Sequence, residues 1–137
     1  STLCPSFTAC WDQRDANIDW GGIKSIVDHW REAAPNYYGD FYPLTSYSLK
    51  DDQWIAWQFD RPDAGAGMVQ VFRRGSSVYE SARLPLHSVD ENARYRVVNL
   101  SHPDVGTIVN GKELADAGLP VTLASRPDAA FITYTKQ

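Results

Sequence analysis

The second part of the chain, from residue 53 to residue 137, consists of short apolar stretches separated by turn-forming residues, with no long helix between them. Stretches of this length, bounded by Gly, Pro, Asn and Asp, are typical of β-strands. About seven strands spaced roughly 8–15 residues apart predict a mainly β fold, an antiparallel β-sandwich. The predicted strands are 54–59, 68–73, 79–84, 94–100, 106–109, 121–124 and 130–135.

Local sequence patterns predict further details of residues 53–137. Residues 68–73 alternate two side-chain sets and are apolar enough for a central strand. Asn110-Gly111 predicts a tight turn, and residues 112–117 predict one helical turn ended by Gly118. Trp54 and Trp57 lie three positions apart, so a regular strand directs them to opposite faces. We expect both to be buried, one in the sandwich and one against the residues that precede it.

One amphipathic helix is predicted upstream, from Ile18 to about Ala33. Asp15 or Asn17 can cap its first turn by accepting hydrogen bonds from free backbone N–H groups. Pro35 ends the helix because proline disfavours helical backbone in the residue before it.

The predicted helix has one apolar stripe that needs a partner. Residues 1–10 are predicted to form one short buried strand, which supplies too little surface to cover the stripe. The partner is therefore either the strands that follow or a body outside this chain. The stripe comprises Ile23, Ile26, Val27 and Trp30, at positions i, i+3, i+4 and i+7.

Size and charge exclude several classes of protein. The 137 residues suit one domain, or one domain and a fragment of another. The net charge is −4 with no basic block, which argues against nucleic-acid binding. No apolar run reaches the roughly 18 residues of a transmembrane helix, so no membrane partner is predicted. A soluble chain follows, and a cytoplasmic location is favoured over secretion.

The two cysteines, Cys4 and Cys10, are expected to be free and buried. On a strand their sulfurs would lie roughly 20 Å apart, which is too far for a disulfide. His29, His87 and His102 are isolated and show no ligand spacing. No metal site and no cofactor are predicted.

Residues 37–45, with the sequence YYGDFYPLT, are unusually rich in aromatics. The whole chain is 12% aromatic, which suits a packed β core and also suits sugar binding by stacking. In this stretch Asp40 can accept hydrogen bonds from sugar hydroxyls, with Tyr38 or Tyr42 as a stacking platform. The alternative is an acid bonded to backbone or to Arg61, within aromatics that pack two halves of the protein together.

Trp11 and Asp12, directly after residues 1–10, are two further candidates for sugar binding. The alternative is that Asp12 pairs with Arg14 at the surface, while Asp15 caps the helix.

Six segments together resemble the C-terminal end of the α-galactosidases of glycoside hydrolase family 36, the melibiase-like enzymes. The resemblance extends over essentially the whole chain. Its segments are Cys4-Pro5-Ser6, WDQRD at 11–15, Trp30-Arg31, YYGDFYPLT at 37–45, WQFDRP at 57–62 and Gly67-Met68-Val69.

The resemblance implies a division of the chain. Such enzymes have an N-terminal β-sandwich, a (β/α)8 catalytic barrel and a C-terminal antiparallel β-domain. Residues 1–36 would then be a strand–helix remnant, the last strand and helix of the barrel. Residues 37–52 would be a junction, and residues 53–137 the C-terminal β-domain. We therefore expect a segment of a longer enzyme.

The resemblance also implies a function. The family hydrolyses terminal α-galactosides with retention, using two carboxylates on earlier barrel strands, and nothing in this chain matches those motifs. Retention requires carboxyl groups about 5–5.5 Å apart, so we predict no catalytic residue and no activity for this chain alone. The implied partners are an α-galactoside bound through the parent enzyme, and the barrel or another copy of the chain. The alternative function is a free-standing carbohydrate-binding β-sandwich.

Overall fold

The computed structural model describes residues 4–8 and 11–137, and within them eight strands form two antiparallel sheets. Short 3-10 helices occupy Ala34–Tyr38 and Pro62–Ala64. The predicted antiparallel β-sandwich is thereby confirmed. The helices and strands in chain order are α1 (Trp20–Ala33), β1 (Asp40–Pro43), β2 (Trp54–Arg61), β3 (Ala66–Arg73), β4 (Ser81–Leu84), β5 (Arg94–Asn99), β6 (Gly106–Asn110), α2 (Gly111–Asp116), β7 (Leu119–Thr122) and β8 (Asp128–Lys136).

The larger sheet has the strand order β1-β2-β3-β8-β5-β6, and β4 pairs with β7 in a second sheet of two strands. The main core contains side chains from both sheets and from α2. Burial of these apolar side chains is the largest favourable contribution to folding. The core includes Ala56, Val69, Val71, Leu84, Tyr95, Leu114, Val121, Ile132 and Tyr134.

Strand β3 lies inside the larger sheet and has the predicted alternation. Val69 and Val71 belong to the main core, whereas Met68 belongs to a second cluster on the opposite face. Ala33, at the end of α1, joins that second cluster, together with Phe131 of β8. Both faces of β3 are therefore covered, which explains its nearly continuous apolar sequence.

The helix α1 begins at Trp20, two residues later than predicted, and Asp19 is its cap. The Asp19 side chain accepts a hydrogen bond from the Gly22 amide at 2.9 Å. The prediction that Asp15 or Asn17 caps the helix is wrong, because the Asp15 carboxylate instead accepts from the Asn17 amide within a separate turn. The predicted end at Ala33 is confirmed.

The predicted strand in residues 1–10 is not formed by residues 4–8, which make bends. No strand in the described part of the chain runs beside them to share backbone hydrogen bonds, and an unpaired strand is not stable. Residues 1–3 and 9–10, including Cys10, lie outside the described residues. Cys4 has a free thiol, as predicted, but the expectation that it is buried is wrong because the residue is exposed.

Residues 40–43, for which no strand was predicted, form β1 at the edge of the larger sheet. β1 pairs with β2 and places Asp40 opposite Asp60. The junction predicted for residues 37–52 thus contributes a strand to the β-domain. The division at residues 36 and 52 stays a prediction.

The tight turn predicted at Asn110-Gly111 is wrong, because Asn110 ends β6 and α2 begins at Gly111. The chain leaves the larger sheet here and continues to β7 in the smaller sheet, so a hairpin turn is not needed. The predicted helical turn before Gly118 is confirmed.

Trp54 and Trp57 lie on opposite faces of β2, as predicted. Trp54 packs against the main core, and the ring of Trp57 lies 5.2 Å from that of Phe72. Both tryptophans are half-buried rather than fully buried. Within the described residues, no helix combines the length and apolar character that crossing a bilayer requires.

Candidate functional site

A cleft of about 680 Å³ lies where the end of α1, the 3-10 helix Ala34–Tyr38, the start of β1 and the end of β2 meet. This volume is within the range of about 300–1,000 Å³ that is common for small-molecule sites. The side chains that give the cleft its chemistry are those of Trp30, Arg31, Tyr38, Asp40, Arg61 and Asp63.

Gly39 explains why these elements come so close together. A Cβ at position 39 would lie 2.2 Å from the backbone oxygen of Asp60 and 2.9 Å from Cγ of Arg61. Such distances are possible only for a residue without a side chain. Gly39 therefore allows β1 to approach the end of β2, which brings Tyr38 and Asp40 beside Arg61.

Three side chains of the cleft are free to bind a ligand. Tyr38 is 94% exposed. Among the described residues, the side chains of Tyr38, Asp40 and Arg61 form no hydrogen bond and no ion pair. The alternative that Asp40 is bonded to Arg61 is therefore not what the structure shows. The two groups remain available to an outside partner.

The helix supplies a fixed aromatic side chain and one further cation to this cleft. The indole N–H of Trp30 donates to the backbone oxygen of Cys4 at 2.9 Å. The Phe7 ring lies 5.8 Å from the Trp30 ring. Arg31 is 3.8 Å from an oxygen of Asp28, and both side chains are largely exposed, so this ion pair is weak.

The charges of the cleft other than that of the buried Asp60 are balanced. Asp40 and Asp63 carry two negative charges, and Arg31 and Arg61 carry two positive charges. In the described part of the chain, no group of three or more His, Cys, Asp or Glu side chains is arranged to hold a metal ion. The arrangement therefore suits an uncharged ligand with many hydroxyl groups better than an ion.

Asp60 also lines the cleft but belongs to a buried network. It is 3% exposed, and its Oδ1 accepts a hydrogen bond from the Tyr134 hydroxyl at 2.5 Å. Gln58 donates to the same hydroxyl at 2.7 Å, and its amide oxygen accepts from the His87 backbone N–H at 2.8 Å. Burial raises the pKa of Asp60 above its ordinary value, the Tyr134 hydrogen bond lowers it in part, and the negative charge of Asp40 raises it further.

Tyr42, a predicted stacking platform, lies outside this cleft. Its ring stacks on that of His87 at 4.8 Å and 15°. Its hydroxyl is 2.9 Å from the Ser88 hydroxyl. Tyr42 lies two residues further along β1 than Asp40, beside His87 and Ser88, and does not line the cleft.

Trp11 and Asp12 also lie outside the cleft. The Trp11 ring contacts the Phe7 ring at 6.3 Å. The Asp12 carboxylate accepts two hydrogen bonds from the Arg14 guanidinium, at 2.8 and 2.9 Å. This is the surface pair that was the alternative interpretation, and it lowers the pKa of Asp12.

The sequence patterns did not predict Trp30, Arg31 or Asp63 as site residues. Trp30 belonged to the apolar stripe, and Arg31 follows it directly. The available signal was the polar sequence Arg61-Pro62-Asp63 immediately after an apolar strand. That signal points to the cleft only once β1 is known to pair with β2.

Comparison with known families identifies most of the β-domain. Residues 54–133 match the model of the glycosyl hydrolase family 36 C-terminal domain. The match covers more than half of the chain and begins at the first residue of β2. No curated protein sequence matches the chain.

Solved structures have the same fold. An α-galactosidase from Lactobacillus brevis aligns with a TM-score of 0.71 and 17% identity over 90% of this chain and 17% of that chain. A variant of the α-galactosidase AgaA from Geobacillus stearothermophilus aligns with a TM-score of 0.72 and 20% identity, with the same two coverages. The α-galactosidase AgaB from that organism aligns with a TM-score of 0.67 and 22% identity over 90% of this chain and 16% of that chain. This chain thus spans about a sixth of the length of each of these structures.

Proposed function

We propose that this chain is an accessory domain of an α-galactosidase. The reason is that it belongs to the family defined by the C-terminal domain of glycosyl hydrolase family 36. The domain docks on the catalytic barrel of the same enzyme and stabilises the barrel. The hydrolysis of terminal α-galactosides is then carried out by residues of the barrel.

The observation that carries this proposal is the uncovered face of α1. Of the fourteen residues of this helix, all of them described, only Ala33 is buried. Trp20 is 56% exposed and Ile26 is 44% exposed. The β-domain therefore contacts the end of the helix and leaves Trp20 and Ile26 exposed, while the other stripe residues, Ile23, Val27 and Trp30, are half-buried.

Exposed large apolar side chains on a helix are typical of a surface that another body covers. In the three solved α-galactosidases, the region that aligns with this chain is 16–17% of the protein, so most of each protein has no counterpart here. That large remainder supports a catalytic barrel as the partner. A second copy of this chain is the competing occupant.

This chain by itself lacks the arrangement that retaining glycoside hydrolysis requires. The reaction needs two carboxyl groups about 5–5.5 Å apart, on either side of the scissile bond. Asp40 and Asp60 face each other in the cleft region, but Asp60 is buried and bonded to Tyr134. We therefore expect no turnover from these two acids.

The activity test compares the 137-residue chain with the full product of its gene. Both are incubated with an aryl α-galactoside, and release of the phenol is measured. We expect turnover by the full product and none by the chain alone. Turnover by the chain that disappears when one of its own acids is replaced would overturn the proposal, as would a full product without α-galactosidase activity.

The docking test uses Ile26→Asp in the full gene product, with Leu49→Asp as the matched control. Leu49 is 83% exposed and lies outside the helix. Ile26→Asp is expected to lower the melting temperature of the enzyme and its activity, whereas Leu49→Asp should change neither. Light scattering of the 137-residue chain provides the second measurement. A dimer that Ile26→Asp converts to a monomer, with the full product unaffected, would favour self-association over docking.

A further inference from the structure

We infer that the cleft between α1 and β2 binds an uncharged saccharide, with the ring of Tyr38 as its stacking platform. This inference goes beyond the proposed accessory function, because it assigns a ligand to a surface formed entirely by this chain. It does not require the barrel to be present.

The first step concerns Tyr38. Its ring is 94% exposed at the rim of the cleft. The 3-10 helix that ends at Tyr38 and the close approach of Gly39 to Asp60 fix its position in the backbone. An exposed aromatic face can stack on the C–H face of a pyranose, which buries apolar surface on both partners.

The second step concerns the polar groups next to that ring. The Asp40 carboxylate is an acceptor with several lone pairs, and the Arg61 guanidinium is a planar donor. Neither has a hydrogen-bond or ion-pair partner among the described residues. Adjacent sugar hydroxyls donate and accept at once, so one carboxylate and one guanidinium can bind a pair of hydroxyls with charge-assisted hydrogen bonds.

The third step concerns the classes of ligand that the cleft disfavours. Its two exposed acids, Asp40 and Asp63, and its two arginines cancel in charge, and the third acid, Asp60, is buried, which disfavours a phosphate or a metal cation relative to a neutral molecule. Its volume of about 680 Å³ suits a small ligand. A saccharide fits all three steps.

The test titrates methyl α-galactoside, methyl α-glucoside and raffinose into the 15N-labelled 137-residue chain. We expect saturable changes in the amide signals of Gly39, Asp40 and Arg61 at millimolar sugar. Tyr38→Ala should weaken binding about tenfold. Because the side chain is 94% exposed, this variant should keep the melting temperature of the wild type. Asp40→Asn should also weaken binding, since an amide is a poorer acceptor than a carboxylate.

Tyr47→Ala is the matched control, because Tyr47 is 88% exposed and does not line the cleft. It should bind sugar as the wild type does. Flat titrations with all three sugars would overturn the inference. So would binding that Tyr38→Ala and Asp40→Asn leave unchanged, or signal changes confined to residues outside the cleft. These outcomes are independent of docking, which Ile26→Asp reports in the full gene product.

Discussion

The hydroxyl of Tyr134 donates a hydrogen bond to Asp60 across an intervening strand. Asp60 lies in β2 and Tyr134 in β8, and both are paired with Gly67 of β3. A Cβ at position 67 would lie 2.1 Å from the Tyr134 hydroxyl. The glycine therefore leaves room for the tyrosine to cross β3, and three strands are joined at the end of the sheet next to the cleft.

Removing the Tyr134 hydroxyl should destabilise the fold. Tyr134→Phe leaves the buried Asp60 carboxyl without its donor and the Gln58 amide with one acceptor fewer. A buried polar group without a partner costs about 1–3 kcal/mol. We expect a loss of that size in the free energy of unfolding, measured by urea denaturation. Tyr47→Phe, at an exposed position, should be neutral, and a neutral Tyr134→Phe would contradict the structural role of this hydrogen bond.

A side chain at position 67 should be more damaging than the loss of the hydroxyl. In Gly67→Ala the new methyl group would collide with Tyr134 and with the backbone oxygen of Phe59, at 2.1 and 2.5 Å. Neither the Tyr134 ring nor the β2 backbone can move away without breaking hydrogen bonds. We therefore expect the free energy of unfolding to fall by at least about 2 kcal/mol.

The matched control for that substitution is Gly75→Ala. There the methyl group would meet only the Asp51 side chain, at 3.3 Å. This variant should unfold within about 0.5–1 kcal/mol of the wild type. Equal urea midpoints for Gly67→Ala and Gly75→Ala would show that Tyr134 does not need the space at position 67.

The buried carboxyl of Asp60 should make stability depend on pH. Its pKa is raised in the folded state, chiefly by burial, whereas the unfolded chain has the ordinary value of about 4. The folded state therefore holds this proton more tightly. The contribution of Asp60 to stability falls as the pH rises from about 4 through the raised pKa.

Asp60→Asn removes this titration and leaves the other groups in place. We expect the stability of the wild type, relative to Asp60→Asn, to decrease as the pH is raised from 4 to 8 in urea denaturation. A relative stability that stays level or increases over this range would mean that the folded-state pKa of Asp60 is not raised.

The guanidinium of Arg73 should be needed to hold the chain after β7. Arg73 is 3% exposed and donates to the backbone oxygens of Leu123, Ala124 and Ser77 at 2.6, 2.9 and 3.1 Å. Lysine cannot reproduce this planar set of donors. Arg73→Lys should therefore lower the free energy of unfolding by about 1.5–3 kcal/mol.

Arg126→Lys is the control for that substitution, because Arg126 donates to the same Ser77 oxygen from an exposed position. It should cost much less in thermal or urea unfolding. Similar losses for the two variants would indicate that burial of the Arg73 guanidinium contributes nothing.

Most of the β-domain could be predicted from the sequence because its signals are local. Alternating side chains in residues 68–73 predicted β3 and its two faces, and both are confirmed. The strand β1 could not be predicted in this way. Its four residues are an edge strand that is stabilised by pairing with β2, and the paired residues lie 14 (Pro43 and Trp57) to 20 (Asp40 and Asp60) positions apart in the sequence.

The candidate site was predicted only in part for the same reason. Asp40 and Tyr38 were proposed from their residue types and lie together at the cleft. Tyr42 has the same residue type as Tyr38 but stacks on His87 instead. Nothing in residue type distinguishes these two tyrosines. The distinction comes from their places in the fold, because Tyr38 ends a 3-10 helix at the cleft, whereas Tyr42 lies in β1 beside the loop that carries His87.

The sequence by itself determined the class of fold, the position of the single long helix and the family resemblance, because each depends on periodicity or on contiguous motifs. Only the tertiary structure decided which polar groups have a hydrogen-bond partner within the chain. Asp60 is bonded to a tyrosine 74 residues away, while Asp40, opposite it on the neighbouring strand, has no partner. Hydrogen bonding between distant residues depends on how the strands are ordered in the sheet, and that order is set by packing of the whole chain.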